Sequence, residues 1–418
     1  MVVYKFGGAS VNSAAAVRNM AEIIRRCDSH SLMVVVSAMG KTTNALEALL
    51  PTSCNDSQRK ERLQALHDYH YTIARQLTEG LDDKPLMTDL DRLFAQLDEA
   101  TAAPATAYNI DYDRIVSFGE LISTTIISHY LRLRGMENKW LDVRQLIRTD
   151  SNHREGHVDW VETIAATESL RREPAPLAIT QGFIAGANDG TTTTLGREGS
   201  DYSAAILSYC LNAESMTIWK DVPGFLNADP KYFSDTIKID RIPYNEAIEL
   251  AYYGASVIHP KTVKPLKNKN IPLYIKSFIT PDDSGSAVGP YNGISPETPL
   301  YIVRPEQVLI SIAPKDFSFI AEQNLQMLFG LFAEIGVRIN VMQNSALSFS
   351  VCIDHNAVLL DQLLRRLQDD YYVRYNAGLH LITIRYYTQA IIDHIVSGRP
   401  ILLEQRSRQT EQIVVEAK

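Results

Sequence analysis

The sequence has few cysteines and no motif that would pair them. The four cysteines lie far apart in a chain of 418 residues, and no Cys-x-x-Cys is present; they are Cys27, Cys54, Cys210 and Cys352. This spacing is typical of reduced core or surface thiols. We therefore expect a cytoplasmic protein without disulfide bonds.

Long apolar runs and an excess of positive charge are also missing. No apolar run is long enough to span a bilayer, and no basic-then-apolar leader precedes the first strand. The chain has 41 lysines and arginines against 49 aspartates and glutamates, which gives a net charge of -8. We expect no membrane span, no signal peptide and no nucleic-acid partner.

The two commonest nucleotide-binding motifs are absent. Gly40-Lys41-Thr42 looks like the end of a P-loop, but Val35 stands where the first glycine of that motif is required. No two glycines lie two residues apart, so the dinucleotide motif Gly-x-Gly-x-x-Gly is missing too. The P-loop fold and the dinucleotide-binding fold are therefore both disfavoured. Any nucleotide site in this chain must be built from other motifs.

What the sequence does contain is a glycine pair directly after an apolar strand. Lys5-Phe6-Gly7-Gly8-Ala9-Ser10 follows Val2-Val3 and precedes a helical pattern from about 14 to 27. Glycines let backbone N–H groups approach an anion, and a helix start adds further donors. Lys5 would add a full positive charge. A tight turn with a surface lysine explains this stretch equally well.

Two other buried strands also lead into polar loops. Leu32–Val36 runs into a loop of small polar residues at 37–44, and the strand at 177–186 runs into the polar loop 191–202. Arg197 could be only a surface charge there, and Asp201 only an acid in the first turn of a helix. Together in a glycine-rich loop they favour a binding site at the carboxyl end of the sheet.

Ser117-Phe118-Gly119-Glu120 has two interpretations. The spacing of Ser117 and Glu120 is that of a capping box at a helix start. Glu120 could equally hold a ligand ammonium at the mouth of a cleft. His67 and His70 lie three residues apart on a predicted helix and could bind a metal. Because no third ligand is nearby, we expect them to be exposed to solvent.

The pattern of elements predicts a catalytic domain and a regulatory region. Residues 1–278 form an α/β domain with a helical insertion at 51–110. A stretch rich in Pro, Gly, Asp and Ser at 279–298 is expected to be a linker. Residues 299–418 contain a βαββαβ unit at about 306–378. A shortened copy follows at about 379–418, with a further strand at 299–304.

Several motifs in a fixed order closely resemble the aspartate kinase family. They are Lys5–Ser10, Val36–Gly40, Ser117–Glu120, Thr193–Tyr202, Asp221–Gly224, Asp229–Lys231 and Ile258–Pro260. The resemblance covers nearly the whole chain. It implies an amino-acid-kinase fold, in which an open, mainly parallel sheet is sandwiched by helices, followed by ferredoxin-like βαββαβ ACT domains.

The family resemblance implies transfer of the ATP γ-phosphoryl group to the β-carboxylate of L-aspartate. The product is 4-phospho-L-aspartate, which opens the synthesis of lysine, threonine and methionine. A carboxylate nucleophile with a pKa near ~4 is already ionised at pH 7, so no general base is required. Catalysis must then come from positioning and from positive charge. Mg²⁺ is expected to arrive with ATP, without a resident metal site.

The resemblance also assigns roles to individual residues. Lys5 should stabilise the γ-phosphoryl group, and Asp201 should orient Lys5 and the substrate. Thr43, Glu120 and Arg197 should hold L-aspartate. Glu120 should pair with the ammonium of the ligand and Arg197 with its α-carboxylate. The nucleotide site should be lined by Gly7, Gly8, Ser10, Lys220, Asp221, Lys231 and Ser256.

Two of these positions depart from the family pattern. The family often has lysine at the position of Ser256 and a small hydroxyl residue at the position of Lys220. We hypothesise that Lys220 supplies the charge that Ser256 lacks. The regulatory region departs as well, because the last helix of its second copy is missing.

ACT domains of this family pair in a homodimer and bind an end-product amino acid such as lysine or threonine. The implied effector-site residues are Asp316, Phe317, Asn340 and Gln343. They could equally serve only the packing of the dimer.

Three other interpretations of the chain remain to be weighed. A related kinase acting on N-acetylglutamate is disfavoured by Glu120, since an acetylated amine has no charge to pair. A non-catalytic amino-acid sensor is disfavoured by the set of Lys5, Arg197 and Asp201. A fusion to homoserine dehydrogenase would need a second nucleotide fold before Lys418, so we expect a monofunctional enzyme.

Overall fold

In the computed structural model, which describes residues 1–255, 257–316 and 318–417, the chain forms two units. The first consists of Met1–Phe225, Lys238–Ile248 and Ser256–Pro296. The second consists of Leu226–Ile237, Glu249–Ala255 and Glu297–Lys418.

Short, largely buried strands build the first unit. The strands up to residue 289 are β1 (Val2–Phe6), β2 (Leu32–Val36), β3 (Lys139–Leu141), β4 (Arg148–Thr149), β5 (Leu177–Gln181), β6 (Ile184–Ala187), β7 (Thr192–Thr194), β8 (Ser215–Lys220), β9 (Phe225–Leu226), β10 (Lys238–Ile239), β11 (Arg241–Pro243), β12 (Leu273–Ser277) and β13 (Ser286–Gly289). Eight of them form one sheet in the order β11-β13-β12-β8-β1-β2-β5-β3. The expected mainly parallel sheet is confirmed, since only the β12–β13 pair is antiparallel.

The register of the central strands brings three loops to one edge of this sheet. Phe6, at the end of β1, pairs with Val36 at the end of β2 and with Trp219 near the end of β8. All five residues of β2 are buried, as a strand covered on both faces requires. The chain segments that follow β1, β2 and β8 therefore start side by side.

Ten helices of the described chain accompany these strands. They are α1 (Ala14–Arg25), α2 (Thr42–Glu47), α3 (Asp56–Thr78), α4 (Lys84–Ala102), α5 (Tyr108–Val116), α6 (Phe118–Leu133), α7 (Trp160–Arg172), α8 (Gly199–Cys210), α9 (Tyr244–Tyr253) and α10 (Pro260–Asn268). Twelve of the sixteen residues of α6 are buried, so this helix packs in the interior. Helices α3 and α4 lie in the predicted helical insertion at 51–110.

The stretch 279–298 is more than a linker. It contains β13, which lies inside the sheet between β11 and β12. The first unit therefore continues beyond residue 278, where the sequence predicted the end of the catalytic domain. Only Ser286–Gly289 forms β13, and such a short segment among turn residues gives no clear periodicity.

An antiparallel sheet of six strands forms the second unit. Its elements are β14 (Leu300–Pro314), α11 (Glu322–Ile335), β15 (Ile339–Asn344), β16 (Phe349–Asp354), α12 (Ala357–Leu367), β17 (Tyr371–Arg385), α13 (Gln389–Val396), β18 (Ile401–Arg406) and β19 (Thr410–Glu416). The strand order is β15-β16-β14-β17-β19-β18. The expected C-terminal βαββαβ pattern is thus present at β14 to β17.

Two long strands join the two halves of this second sheet. β14 and β17 have 15 residues each, and they pair from Leu300↔Arg385 to Pro314↔Tyr371, with register shifts near Gln307. The sequence predicted a break between 304 and 306 and another between 378 and 379, whereas one continuous strand runs through each of these points. The first half carries α11 and α12, and the second half carries α13.

Within the part of the chain that the structure describes, no helix combines the length and apolar character needed to cross a bilayer.

Candidate active site

A cleft of about 940 Å³ opens at the edge where β1 and β2 of the first unit end. Lys5 and Gly8 line it from the end of β1. Further lining comes from the loop after β2 and from the start of α2, namely Ser37, Ala38, Gly40, Thr43 and Asn44. Glu120 of α6 and the segment 196–201 before and within α8 complete it. The structure thus brings together the polar loops that the sequence singled out.

Lys5 and Asp201 form an ion pair in this cleft. Lys5 Nζ lies 2.6 Å from Asp201 Oδ1, and the side chains are 9% and 0% exposed. Lys220 Nζ lies 3.8 Å from Asp201 Oδ2 and donates a hydrogen bond to the carbonyl of Val257 at 2.5 Å. Two ammonium groups therefore lie on either side of one buried carboxylate.

Close backbone contacts require a glycine at the second position of the glycine pair. A Cβ on Gly8 would lie 2.8 Å from the carbonyl oxygens of both Ala38 and Gly40, and the Gly40 N–H donates to the Gly8 carbonyl. Gly7 has an ordinary φ of -80°. Gly8 is thus needed for space, and neither glycine of the pair has a positive φ. A short 3₁₀ turn, Gly8–Val11, follows β1, and α1 then begins at Ala14, where the helical pattern of the sequence was expected to start.

Glu120 is a buried carboxylate with one free oxygen. Its Oε1 accepts a hydrogen bond from the Ala38 N–H at 3.2 Å, and its Oε2 has no partner among the described residues. Burial raises the pKa of Glu120 to about 8, against the opposing effects of the Ala38 N–H and the charge of Lys5. A buried, unpaired carboxylate at a cleft wall is suited to a cationic group of a ligand.

The capping-box interpretation of Glu120 is wrong. The hydroxyl of Ser117 donates to the carbonyl of Arg114 at 2.9 Å, and Ser117 has helical backbone angles. Because α5 runs almost directly into α6, there is no free helix start for Ser117 to cap.

Thr43 and Arg197 also line the cleft, as the sequence predicts. Thr43 is half-buried in α2, and Arg197 is exposed in the loop before α8. Among the described residues, no carboxylate lies within ion-pair distance of Arg197. Its guanidinium therefore keeps its donors for a ligand.

Five other predicted residues do not line this cleft. Gly7 lies beside it, since its Cβ would be 3.4 Å from Lys5 Nζ, and the Ser10 hydroxyl donates to the Trp219 carbonyl. Asp221 is exposed after β8, and Lys231 is exposed on a loop of the second unit. Lys220 reaches Asp201 as described above. Ser256 lies outside the described residues.

Sequence reasoning missed a network around Asp113 of α5. Asp113 is fully buried, and its Oδ2 accepts from the Arg154 N–H and contacts His153 Nδ1, both at 2.9 Å. Its Oδ1 accepts from the Thr194 hydroxyl at 2.7 Å. His153, Arg154 and Thr194 all line the cleft. The polar run at 111–114, just before Ser117, was the available signal.

Three residues that line the cleft have left-handed backbone angles. They are Arg154 (φ 69°), Phe183 (φ 68°) and Glu198 (φ 55°). Non-glycine residues in this region are strained, and such strain concentrates at functional sites. The Arg154 guanidinium also lies 4.4 Å from the ring centroid of Tyr112, which fixes its position.

The described effector-site residues of the second unit differ from one another in exposure and in hydrogen bonding. Asp316 is exposed. Its carboxylate accepts a hydrogen bond from the Ser318 N–H, which lowers the pKa of Asp316. The Asn340 amide donates to Gln307 Oε1 at 2.8 Å and to Asp354 Oδ1 at 2.9 Å, so it is engaged within the unit. Gln343 is exposed on β15. Phe317 lies outside the described residues.

The expectation that both His67 and His70 are exposed is wrong for His70. His70 is fully buried, its Nδ1 lies 2.7 Å from the Leu66 carbonyl, and burial lowers its pKa to about 4. The helix face that carries it packs inward, which short-range spacing alone does not reveal. Among the described residues, no three His, Cys, Asp or Glu side chains could hold a metal ion.

Residues 1–277 match the model of the amino acid kinase family. Lysine-sensitive aspartokinase 3 of Escherichia coli is 32% identical over 398 residues, which cover 92% of this chain and 86% of that protein.

Solved structures of an aspartokinase are also similar to this chain. A crystal structure of E. coli aspartokinase III with aspartate and ADP (R-state) superimposes with a TM-score of 0.84 at 29% identity. The match covers 100% of this chain and 96% of that one. A second structure of that enzyme, with lysine and aspartate (T-state), gives a TM-score of 0.82 at the same identity and coverage. The chain therefore belongs to the aspartokinases of the amino acid kinase family.

Proposed function

We propose that the protein is an aspartate kinase that transfers the γ-phosphoryl group of ATP to the β-carboxylate of L-aspartate. The observation that carries this proposal is the free carboxylate oxygen of Glu120, in a cleft that also holds the Lys5–Asp201 pair. The E. coli relative was crystallised with aspartate and ADP, which supports the same substrate and the use of a nucleotide here. The product would be 4-phospho-L-aspartate, the first intermediate of lysine, threonine and methionine synthesis.

The proposed roles follow the charges of the cleft. Glu120 binds the ammonium of L-aspartate, Arg197 pairs with its α-carboxylate and Thr43 adds a hydroxyl contact. Lys5, oriented by Asp201, stabilises the charge on the transferring phosphoryl group. Backbone N–H groups near Gly8 and at the start of α8 contribute further donors to phosphate oxygens. Lys220, Asp221, Lys231 and Ser256 remain proposals for the nucleotide site.

Mg²⁺ fits this cleft only as a partner of the nucleotide. The described residues contain no cluster of three possible protein ligands, and Mg²⁺ usually keeps several waters in nucleotide sites. Phosphate oxygens and water would hold it, and Asp201 is the carboxylate of the cleft that could share it. When bound, the ion offsets negative charge on the phosphates.

A substrate panel tests the proposed function. Product formation is measured with L-aspartate, N-acetyl-L-glutamate and N-acetyl-L-aspartate, each with ATP and Mg²⁺. We expect phosphorylation of L-aspartate alone, because an acetylated amine cannot pair with Glu120. Turnover of N-acetyl-L-glutamate would favour the related carboxylate kinase. No turnover of any acceptor would favour a non-catalytic sensor.

We further propose feedback regulation and a homodimer through the C-terminal unit. The E. coli relative is named lysine-sensitive, and one of its structures holds lysine. The candidate effector residues are Asp316, Phe317, Asn340 and Gln343. An initial velocity that is unchanged by both lysine and threonine would contradict the regulation, and a monomer in sedimentation would contradict the dimer.

A cytoplasmic location is proposed on the state of the thiols. Cys27, Cys54, Cys210 and Cys352 are all free in the structure, as in a reducing compartment. Fractionation of cells that express the full chain tests this location.

A further inference from the structure

A second cavity of the first unit, of about 500 Å³, is lined by basic and apolar side chains. Its three basic residues come from different segments: Arg92 from α4, Arg114 from α5 and Arg144 from the turn after β3. Phe118, Leu121 and Trp140 contribute apolar surface. None of the described residues that line it is acidic. We call it the arginine cavity.

Each of the three guanidinium groups is paired with one carboxylate and still has donors to offer. Each is paired at 2.6 to 2.8 Å with an aspartate of its own segment, as Arg92–Asp89, Arg114–Asp111 and Arg144–Asp142. A guanidinium has more N–H groups than one carboxylate takes up. In particular, the buried Arg114 Nε has no partner among the described residues. Such fixed donors suit a planar anion such as a carboxylate.

The remaining surface restricts the ligand further. The apolar side chains favour a ligand with an apolar body, and the volume suits a small molecule. A ligand ammonium would find no carboxylate in this lining, whereas the catalytic cleft provides Glu120 for that purpose. Free amino acids are therefore disfavoured in the arginine cavity. We propose that it binds a small organic carboxylate with an apolar body and no ammonium, and that this ligand alters substrate binding.

The coupling to the catalytic cleft follows from shared elements. On α5, Asp113 supports the cleft and Arg114 lines the cavity. On α6, Glu120 faces the cleft while Phe118 and Leu121 line the cavity. On β7, Thr194 lines the cleft and Thr192 lines the cavity, where its hydroxyl accepts from Arg144 Nη1 at 3.3 Å. A ligand that shifts these elements changes both sites, and the effect is reciprocal. This part of the inference rests on the proposed function.

Binding is tested first without any assay of activity. The full-length protein is titrated with 4-methyl-2-oxopentanoate by calorimetry and by the fluorescence of Trp140 in a Trp160→Phe/Trp219→Phe variant. Leucine has the same carbon skeleton with an ammonium, and 4-methyl-2-pentanone lacks the carboxylate. We expect saturable binding of the 2-oxo acid, at least about tenfold tighter than either control, a difference of about 1.4 kcal/mol. A flat calorimetric titration, or equal binding of either control, overturns the proposal.

Variants then locate the site and its effect. Arg92→Gln and Arg144→Gln should each weaken binding at least about fivefold, and Arg171→Gln, whose side chain pairs with Glu168 and does not line the cavity, should not. Addition of 4-methyl-2-oxopentanoate should change the KM of the wild type for L-aspartate. The same addition should leave the KM of Arg144→Gln for L-aspartate unchanged. Binding that is unaffected in both cavity variants overturns the site, and binding with an unchanged KM overturns the coupling. Intact binding in a protein without kinase activity contradicts only the proposed function.

Discussion

Lys5 Nζ lies 2.6 Å from Asp201 Oδ1, although the two residues come from the first strand and the eighth helix of the chain. Both side chains are buried at the cleft. Asp201 lies in the first turn of α8, where the helix dipole favours a carboxylate. The pair therefore fixes an ammonium at the end of β1, next to the glycine pair, before any substrate binds.

Replacing Lys5 should abolish most of the catalysis. For Lys5→Met we expect kcat to fall by about 10²- to 10³-fold, because a preorganised charge at the transferring group is lost. The exposed Lys41, in the loop after β2, provides the control Lys41→Met, with kcat unchanged. Loss of the lysine leaves Asp201 buried without its nearest partner. The double variant Lys5→Met/Asp201→Asn should therefore regain thermal stability without regaining kcat. Undiminished phosphorylation of L-aspartate by Lys5→Met would refute the mechanism.

Glu120→Gln should impair the binding of L-aspartate specifically. We expect the KM for L-aspartate to rise by about 10- to 100-fold, because a charged hydrogen bond to the ammonium is replaced by a neutral one. The KM for ATP should stay within about twofold. The exposed Glu155 of the same cleft supplies the control Glu155→Gln, in which both constants should be unchanged. An equal rise in the two KM values would assign Glu120 to another role.

The binding of L-aspartate should depend on pH through Glu120. Burial raises the pKa of Glu120 to about 8 in the ligand-free protein. Only the ionised carboxylate pairs with an ammonium, so the affinity should increase as the pH rises towards about 8 and fall by about tenfold per unit below it. Calorimetric titrations from pH 6 upward measure this. The slope should disappear in Glu120→Gln, and its persistence there would point to a different titrating group.

The two adjacent glycines should differ in their tolerance of a side chain. A Cβ on Gly8 would meet two backbone carbonyl oxygens at 2.8 Å, which cannot move away easily. For Gly8→Ala we expect a loss of stability of about 1–3 kcal/mol and a large loss of kcat. For Gly7→Ala the nearest atom is Lys5 Nζ at 3.4 Å, so the fold should be retained. Thermal melts of the two variants side by side decide this, and equal melting temperatures would contradict it.

Lys220→Ala should weaken ATP binding if Lys220 replaces the charge that Ser256 lacks. We expect the KM for ATP to rise by about 5- to 10-fold, the typical effect of losing one charged contact. The KM for L-aspartate should change less. Lys276→Ala, on the neighbouring strand β12, is the matched control. An unchanged KM for ATP in Lys220→Ala would end this hypothesis.

Local sequence patterns were sufficient for the centre of the fold and for the main charges of the site. The continuous apolar run Leu32–Val36 predicted β2 with the bounds that the structure has. The structure places Lys5, Glu120, Arg197 and Asp201, which the sequence singled out, in one cleft, and their roles there remain predictions. These signals are local, because a strand of a parallel sheet must be apolar and its carboxyl end must carry the functional loop.

The missed features depend on contacts between distant segments. Asp113 meets His153 and Arg154 only after folding, and a polar run at 111–114 does not predict its partners. His70 is buried because of what packs on α3, which the helix period alone does not show. The strand predicted at 299–304 and the first strand of the unit predicted at 306–378 are one strand, β14. The irregular register near Gln307 interrupts the alternation along it.

The shared strands β14 and β17 have a consequence for the synthesis of the protein. Leu300 pairs with Arg385, which lies 85 positions later in the sequence. On its other side β17 pairs with β19, Thr410–Glu416. Pairings between such distant positions slow folding, because a long loop must close first. A nascent chain on the ribosome therefore cannot complete this sheet until β19 has emerged. Until then one edge of β17 is unpaired, and such an edge is prone to aggregation. A chaperone that binds the nascent chain at this stage would prevent it.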